Sequence, residues 1–232
     1  MDRPSAPRTA RDFARIELTR AIRAEGRRQL AEVGPGQLSL RAVARELGMA
    51  SSAVYRYFPS RDHLITALLI EAYDESGVAV QEADAAVARD RFRRRWIAMT
   101  SALRAWALAN HHEYALLYGS PVPGYAAPED TVAPAQRVTL ALLTLFTEAH
   151  DAGERPSIPG RPVPRKVSAS LAPIAELAPM PGPTLIRGLL AWSTVIGQLS
   201  LELFGHLHKG VLDYQVHWDH LMEQLADDLG LK

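Results

Sequence analysis

The stretch LSLRAVARELGMASSAVYRYFPSRDHL, residues 38–64, decides the fold of the amino-terminal part of the chain. It predicts a short helix from Leu40 to Leu47, with Ser39 as the N-cap and Gly48 as the stop, and a second from about Ser51 to Phe58. Helices of about two turns cannot each bury an apolar face alone, but they can pack at a steep angle in front of a supporting helix. The stretch therefore predicts a helix-turn-helix.

Each of the two short helices has an apolar face and a polar face. The positions expected to point inward are Val43, Ala44 and Leu47 in the first helix and Ala53, Val54 and Phe58 in the second. The outward positions of the second helix carry hydroxyls and a guanidinium and no acid: Ser51, Ser52, Tyr55, Arg56 and Tyr57. Such groups bind phosphates and base edges of DNA. The alternative is an ordinary helical hairpin whose polar face is solvated.

The remainder of the chain has helical periodicity and no convincing run of alternating strand residues. Further helices are predicted over residues 11–33, from the N-cap Ser60 through Tyr73, and over 89–110, 113–118, 134–152, 168–177, 184–207 and 211–229. The apolar positions of the first of these helices are Phe13, Ile16, Ile22 and Leu30. Eight of the sixteen prolines lie in residues 153–183, so that segment is predicted to be a long loop, with 168–177 as its one helix. The predicted fold is all-α, with a three-helix helix-turn-helix domain over residues 1–60 and a larger helical domain over residues 61–232.

The composition restricts the class of protein and its compartment. The chain has 232 residues, 47% of them hydrophobic, and no cysteine for a disulfide, a zinc–thiolate site or a thiol nucleophile. No signal-peptide pattern and no run of about 18 apolar residues occurs, so we expect a cytoplasmic protein that does not cross a membrane. The net charge is zero, but residues 1–65 contain 12 Lys and Arg against 7 Asp and Glu. A basic first part suits a nucleic-acid partner, although chance also explains so modest an excess.

Residues 38–64 resemble the DNA-binding domain of the tetracycline-repressor (TetR) family. The residues that match the family's pattern in order are Gly34, Ser39, Ala44, Gly48, Tyr55, Tyr57, Phe58 and Leu64. Tyr57 stands where the family more often has His, Arg61 where it has Lys, and Asp62 where it has Glu. The resemblance implies a ligand-responsive transcriptional regulator, most often a repressor, that binds a double-stranded DNA operator as a homodimer.

The carboxy-terminal part resembles the family more loosely. Residues 113–130 and 188–207 are similar to the subclass that carries a Trp-His-Gly signature in its second domain. Trp192 and Gly197 fit that signature, whereas Ile196 occupies the position before the glycine where the signature has His.

Nine residues are predicted to contact DNA. Tyr55, Tyr57 and Arg61 are expected at phosphates, with Ser39 and Arg41 beside them. Ser51 is expected in the same surface, and Ser52, Ala53 and Arg56 are the candidates near base edges. Four further arginines could reach the DNA backbone or belong to a frayed basic tail: Arg3, Arg8, Arg11 and Arg15.

A stripe of aromatic and apolar residues is the candidate ligand site, because ligand pockets are mostly apolar. Its members are Trp96, Met99, Leu103, Trp106, Tyr114, Tyr118 and Trp192. The alternative is plain core, since such a stripe at helical spacing is typical of buried helices. The resemblance implies a central cavity, so a small apolar effector is expected between the helices at 89–110, 134–152 and 184–207.

The last two helices are predicted to form a homodimer. Their apolar faces would make a four-helix bundle with a second copy, through Leu199, Leu203, Leu207, Tyr214, Trp218, Leu221 and Leu225. A two-fold dimer places its recognition helices about 34 Å apart and calls for a palindromic operator.

Other classes of function have weaker support. No phosphate-binding Gly-rich loop, Gly-x-Ser-x-Gly or His-Glu-x-x-His motif occurs, so no enzyme and no cofactor are predicted. Neither His111-His112 nor His206-x-His208 places two histidines on one helix face, and no metal site is predicted. A helical ligand-binding protein that does not bind DNA is the alternative function, with an unclassified enzyme third.

Two further local features are a basic run and a glycine within the first helix. The basic run at Arg91 and Arg93–Arg95 is expected to be a solvated helix start, balanced by Asp84 and Asp90. Gly26, in the middle of the first helix, costs roughly 1 kcal/mol relative to alanine, and nothing in the sequence explains it.

Overall fold

The computed structural model describes residues 9–232, which form helices and no β-strand. The predicted all-α fold is confirmed. The α-helices are α1 (Ala10–Val33), α2 (Leu40–Glu46), α3 (Ser51–Val54), α4 (Arg61–Ala85), α5 (Phe92–Ala109), α6 (His111–Tyr118), α7 (Val132–Asp151), α8 (Arg165–Ser170), α9 (Ala172–Leu177), α10 (Gly182–Leu203) and α11 (Tyr214–Leu229). Short 3-10 turns lie at Pro35–Gln37 and Glu129–Thr131.

The described chain forms two compact units whose limits differ from the predicted boundary at residues 60 and 61. The first unit extends to Ala72 and includes His112–Thr131, and the second contains Tyr73–His111 and Val132–Lys232. Long-range polar contacts tie α6 and the loop after it to the helix-turn-helix part. The hydroxyls of Thr66 and Tyr125 are hydrogen-bonded at 2.9 Å, an arrangement that sequence spacing does not reveal.

The first unit is organised around the crossing of α1 and α4. Ile22 and Leu30 of α1 and Leu64 and Leu68 of α4 are buried. A Cβ atom at Gly26 would lie 3.2 Å from Leu64 Cδ2 and 3.3 Å from Leu68 Cδ1. The glycine therefore lets the two helices approach closely, and this packing explains a residue that is unfavourable within an isolated helix.

The amino-terminal turns of α1 do not contribute to the core as predicted. Thr9 caps the helix by accepting a hydrogen bond from the backbone N–H of Asp12. Phe13 and Ile16, expected among the apolar core positions, are 57% and 48% exposed. The helix ends as predicted at Gly34, which adopts a φ of 73°.

The core of the second unit is built from α5, α7, α10 and α11, which contact one another. Trp96 of α5 is fully buried, and its indole Nε1 donates a 2.9 Å hydrogen bond to the carbonyl of Met222 on α11. Its ring lies 5.8 Å from that of Phe146 on α7. The polar atom of this large side chain is thus satisfied within the core, as buried tryptophans usually require.

The proline-rich segment contains two short helices where one was predicted at 168–177. The chain turns at Leu171 between α8 and α9, and Pro173 stands in the first turn of α9. Proline lacks the backbone N–H that would continue the preceding helix, which accounts for the interruption. Farther along, α10 ends at Leu203 rather than Leu207, and Gly205 with a φ of 77° reverses the chain.

Arg95 contradicts the expectation that the basic run is solvated. Its side chain is 0% exposed, with Nε 2.7 Å from Asp84 Oδ1 and Nη1 2.7 Å from Glu148 Oε2. Arg89 also binds both acids, at 2.6 Å each. The arginine reaches inward because both carboxylates come from neighbouring helical segments, which compensates the cost of burying its charge.

Residues 9–232 contain no helix with the length and apolarity needed to cross a bilayer.

Candidate DNA-binding surface

The turn between α2 and α3 has the geometry that its glycine predicts. Gly48 adopts a φ of 64°, a left-handed conformation that glycine enters without steric cost. The backbone N–H of Met49 then donates a 2.8 Å hydrogen bond back to the carbonyl of Ala44. This bond closes the end of α2 and directs the chain into α3.

The recognition helix is shorter and tighter than predicted. Regular α-helix covers Ser51–Val54, and the chain continues to Phe58 with bonds to the third as well as the fourth residue back. The N–H of Arg56 bonds to Ala53 O at 3.2 Å, and that of Tyr57 bonds to Val54 O at 2.9 Å. A segment this short is not stable alone, so tertiary packing must hold it.

Two apolar side chains hold residues 51–58, here called the recognition segment, against the rest of the first unit. Val54 is 0% exposed and Phe58 is 6% exposed, and they share the core with Val43 and Ala44 of α2. Leu47 and Ala53, also expected to face inward, are only half-buried. Because Val54 and Phe58 lie four residues apart on one side, the opposite side of the segment is left to solvent.

The structure exposes five of the nine predicted DNA-contact residues and half-buries the other four. The exposed residues are Arg41, Ser51, Ser52, Tyr55 and Arg56, and the half-buried ones are Ser39, Ala53, Tyr57 and Arg61. Of the additional arginines, Arg11 and Arg15 are exposed on α1, while Arg3 and Arg8 lie outside the described residues. All nine predicted DNA-contact residues belong to the first unit, where they lie within 23 consecutive residues of the chain.

Arg61 has a structural contact that its sequence position did not reveal. Its Nη2 donates a 2.5 Å hydrogen bond to the carbonyl of Pro35, so it joins the start of α4 to the turn after α1. Its Nη1 lies 3.6 Å from Asp62 Oδ1, and its buried Nε has no hydrogen-bond partner in the described part of the chain. Any phosphate contact by Arg61 would therefore use a side chain that is already positioned.

The N-terminal positions of α2 and α4 behave differently from each other. Ser60 caps α4 as predicted, since its Oγ accepts a 3.3 Å hydrogen bond from the N–H of His63. Ser39 occupies the N-cap position of α2, but its hydroxyl makes no capping hydrogen bond. Its backbone N–H instead donates to the side-chain oxygen of Gln29 at 3.3 Å. The Ser39 hydroxyl therefore has no role in the helix cap.

The charge on this surface is positive. Residues 38–61 contain four arginines and one acid, Glu46. Glu46 lies 3.5 Å from Arg45 and 3.7 Å from Arg28. Neither Arg41 nor Arg56 forms an ion pair within residues 9–232, so both guanidiniums remain available to a phosphate or a base edge.

The candidate ligand residues are divided between the two units. Trp96, Met99, Leu103 and Trp106 of α5 and Trp192 of α10 belong to the second unit, and all but Trp192 are buried. Tyr114 and Tyr118 belong to the first, with their rings 5.0 Å apart. Within the second unit, Trp106 differs from Trp96, because its buried Nε1 has no hydrogen-bond partner among the described residues.

The space between α7 and α10 is almost filled. A cavity of about 10 Å³ lies there, bordered by Phe146 on one helix and by Gly188 and Trp192 on the other. That volume is at the limit of what one water molecule needs. A Cβ atom at Gly188 would lie 2.8 Å from the Phe146 ring, so the glycine allows this close packing.

Two predicted dimer residues are in the protomer core. Leu199 is 0% exposed and Trp218 is 2% exposed, because they point toward α5 and its neighbours rather than outward. Leu203, Tyr214, Leu221 and Leu225 are half-buried, and Leu207 is half-buried in the turn after α10. The apolar residues that α10 and the chain after it expose most are others: Leu190, Leu201, Phe204, Leu212 and Val216.

Sequence reasoning missed these outward residues because α10 is apolar on two sides. Leu190, Leu201 and Phe204 follow helical spacing, as do Val195 and Leu199 on the opposite side. Small and hydroxyl-bearing residues do not separate the two sides, because Ser193, Thr194 and Gly197 lie on the outward side but Gly188 lies inward against Phe146. Within residues 9–232, no group of three or more His, Cys, Asp or Glu could hold a metal ion.

A glycine turn, a short second helix seated by two buried apolar residues and an exposed basic and hydroxyl-bearing face define a helix-turn-helix DNA-binding protein. The family model described as bacterial regulatory proteins, tetR family, matches residues 22–68. The model described as tetracyclin repressor-like, C-terminal domain, matches residues 96–225, which is more than half of the chain.

Known proteins are similar over most of the chain. The HTH-type transcriptional regulators Rv1816 of Mycobacterium tuberculosis and Mb1846 of Mycobacterium bovis are each 40% identical over 202 residues, covering 86% of both chains. The crystal structure of the regulatory protein SCO4313 superposes with a TM-score of 0.76 at 32% identity, covering 94% of this chain and 98% of that one.

The chain belongs to the TetR family, and it is a DNA-binding transcriptional regulator. The predicted family and class of function are confirmed, whereas the Trp-His-Gly subclass stays a prediction. Regulators of this family bind DNA operators, usually act as dimers, typically respond to ligands and are typically non-enzymatic.

Proposed function

We propose that the protein is a dimeric repressor that binds a palindromic operator in the cytoplasm and leaves it when a small apolar effector binds. In this proposal residues 1–60 bind DNA, residues 61–232 hold the effector and the dimer contact, and no catalysis is involved. The observation that carries the DNA-binding part is the exposed face of the recognition segment, with Arg56 unpaired and the segment seated by Val54 and Phe58.

The exposed residues divide by the DNA group that suits their chemistry. Arg56 and Ser52 lie on the recognition segment and can reach base edges, where a guanidinium binds the N7 and O6 acceptors of guanine. Tyr55, Ser51 and Arg41 suit phosphates, which fix the orientation of the protein without reading the sequence. Ser39, Tyr57 and Arg61 are half-buried and would contact phosphates from the edges of the surface, and Ala53 would contact a thymine methyl.

Replacing Arg56 with alanine is expected to weaken operator binding by roughly 1–3 kcal/mol and to relax specificity at one base position. The side chain is exposed and forms no ion pair among residues 9–232, so folding stability should not change. Gel-shift titrations on a fragment of the protein's own promoter region and on random DNA of equal length measure both effects.

Arg94→Ala is the matched control, because Arg94 is an exposed arginine of α5 in the other unit. It should leave both affinities unchanged. If Arg56→Ala lowers specific and random binding equally, Arg56 contacts phosphate rather than a base. Failure of the unaltered protein to prefer any fragment of its promoter region would contradict the operator proposal.

The proposed effector site lies between α5, α7 and α10 in the second unit. The buried Nε1 of Trp106 on α5 has no hydrogen-bond partner among the described residues, and it would favour an effector with a hydrogen-bond acceptor. The packed volume there is about 10 Å³, so binding requires α7 and α10 to separate. An effector can then regulate only by preferring the separated arrangement over the packed one.

An effector found by thermal-shift screening of small apolar compounds is expected to weaken operator binding by 5–150-fold, which corresponds to a coupling of about 1–3 kcal/mol. Each compound that raises the melting temperature is added to the operator complex in a gel shift. Gly188→Val, which places a side chain against Phe146 and so favours separation of α7 and α10, should weaken operator binding without the compound. A compound that stabilises the protein and leaves operator affinity unchanged would contradict regulation by ligand while leaving DNA binding intact.

The proposed dimer joins two copies through α10 and α11 in a four-helix bundle. Of the predicted contacts, the half-buried residues remain candidates: Leu203, Leu207, Tyr214, Leu221 and Leu225. A two-fold arrangement would repeat the recognition segment about 34 Å along the DNA.

A further inference from the structure

The outward side of α10 carries a continuous stripe of residues with spacings of four, three, four and three. It consists of Leu190, Thr194, Gly197, Leu201 and Phe204, the last in the turn that ends the helix. Leu190 is 63% exposed, Leu201 is 37% exposed and Phe204 is 42% exposed. Alternating spacings of four and three are the pattern by which one helix packs along another.

The two ends of the stripe lie at equal distances from its middle residue, whereas Thr194 precedes that residue by three positions and Leu201 follows it by four. Leu190 precedes Gly197 by seven residues and Phe204 follows it by seven, which is about 10.5 Å along the helix in each direction. Two antiparallel copies that cross at Gly197 therefore bring Leu190 of one opposite Phe204 of the other. A closed two-fold dimer requires such a self-complementary surface.

The middle of the stripe permits a close crossing. A Cβ atom at Gly197 would meet nothing within 4 Å, so this point of α10 faces open space in the protomer. The hydroxyl of Thr194 donates a 2.9 Å hydrogen bond to the carbonyl of Leu190. Because its donor is satisfied within the helix, Thr194 can be covered by a second helix at little cost.

A groove borders one end of the stripe. It has a volume of about 560 Å³ and lies between α10, α11 and the loop at Pro159–Arg161, with Ile186, Leu190, Leu225 and Leu229 among its walls. Arg187 joins the walls of the groove, because its guanidinium donates to the carbonyl of Ile158 in the loop and, at 2.6 Å, to the carbonyl of Asp228 on α11. The loop also packs closely on α10, since a Cβ atom at Gly160 would lie 2.8 Å from Pro183. The groove is thus preformed and mainly apolar.

We infer that the two-fold axis of the dimer passes beside Gly197 and that the groove beside Leu190 is completed by Phe204 of the partner subunit. This inference rests on the proposed dimer and specifies its register. The groove and the stripe meet at Leu190 and Thr194, which belong to both. The two-fold symmetry that pairs the two stripes also brings Phe204 of the partner subunit to this groove. A second copy of the chain is therefore the expected occupant.

The absence of cysteine from the chain makes the register directly testable by disulfide trapping. Gly197→Cys should form a covalent dimer on mild oxidation, because each introduced thiol meets its own symmetry mate. Leu190→Cys and Phe204→Cys should not cross-link separately, since symmetry mates about 20 Å apart along the helices exceed disulfide reach. The double variant Leu190→Cys/Phe204→Cys should cross-link. Non-reducing gels score the products, and light scattering of each reduced variant reports the dimer itself.

A second readout tests the groove without a disulfide. Phe204→Asp is expected to raise the dimer dissociation constant at least tenfold in sedimentation experiments, because the carboxylate would enter an apolar groove. Leu177→Asp is the control, on a leucine of α9 that is 52% exposed and lies off the stripe. It should leave the dissociation constant unchanged.

The possible results of these experiments test the register of the dimer, the groove contact and dimerisation itself separately. Dimers by light scattering in which Gly197→Cys stays unlinked, or in which Leu190→Cys alone cross-links, would overturn the register and leave dimerisation standing. An unchanged dissociation constant for Phe204→Asp would overturn the groove contact. A monomer at micromolar concentration in the unaltered protein would overturn the proposed dimer itself.

Discussion

Replacing Arg95 with methionine is expected to lower the free energy of unfolding by about 3–5 kcal/mol, the cost of removing one partner from a buried ion pair. Methionine fills much of the same space, so the loss is electrostatic rather than a cavity effect. The guanidinium of Arg95 binds Asp84 and Glu148 and also donates to the carbonyl of Arg89 at 3.0 Å. Arg89 still binds both acids in the variant, which places the expected loss toward the lower end.

Urea unfolding of the protein and the variant measures this difference. Arg94→Met is the control, because the neighbouring arginine is exposed and its replacement should change the stability by less than about 0.5 kcal/mol. Combining Arg95→Met with Asp84→Asn and Glu148→Gln should recover part of the loss, since no uncompensated carboxylate would then remain. Equal stability of the unaltered protein and Arg95→Met would show that the ion network contributes nothing.

The same network makes the stability depend on acidity. Burial alone raises the pKa of Asp84 and of Glu148, but hydrogen bonds from Arg95 and Arg89 outweigh it and hold each pKa below its usual value. A carboxyl whose pKa is lower in the folded state contributes stability above its unfolded pKa, about 4, and loses it as the pH falls through the folded value. The difference between the protein and Arg95→Met should therefore be full at pH 7 and shrink below about pH 4.

Replacing Phe58 with alanine is expected to destabilise the first unit by about 3–5 kcal/mol and to remove operator binding with it. Phe58 is 6% exposed at the end of the recognition segment, whose regular helix covers only Ser51–Val54. With so little helix of its own, the segment depends on this side chain and Val54 for its position. Protease sensitivity and urea unfolding report the stability, and a gel shift reports binding.

Two variants distinguish loss of position from loss of contact. Phe58→Leu keeps an apolar group in the core and should recover most of the stability and binding. Arg56→Ala should weaken specific binding with unchanged stability, because Arg56 is exposed. If Phe58→Ala keeps full operator affinity, contacts other than those of the Phe58 side chain hold the recognition segment in position.

The helix-turn-helix is the part of the molecule that the sequence determined by itself. Its signals are local: the apolar positions Val43, Ala44, Val54 and Phe58 lie within one short stretch, and Gly48 supplies the turn conformation. Since the chain connecting these residues is short, few arrangements bury them all. The exposed face of the recognition segment follows from that burial, so Ser51, Ser52, Tyr55 and Arg56 could be recognised in advance.

Only the tertiary structure decided which arginine and which apolar face are buried. Arg95 stands next to exposed Arg94, and nothing local distinguishes them until Asp84 and Glu148 arrive from other helices. Gly26 likewise has no local explanation, because Leu64 and Leu68 that require it lie about 40 residues away in sequence.

The two apolar sides of α10 are a further case in which local sequence does not show which residues are buried. Leu199 and Leu201 are equally hydrophobic, and helical periodicity places them on different sides without saying which side faces the core. The packing of α5, α7 and α11 buries Leu199 completely and leaves Leu201 at the surface. Periodicity is a property of one helix, whereas burial depends on which neighbours surround it, and those neighbours are brought together only when the whole unit folds.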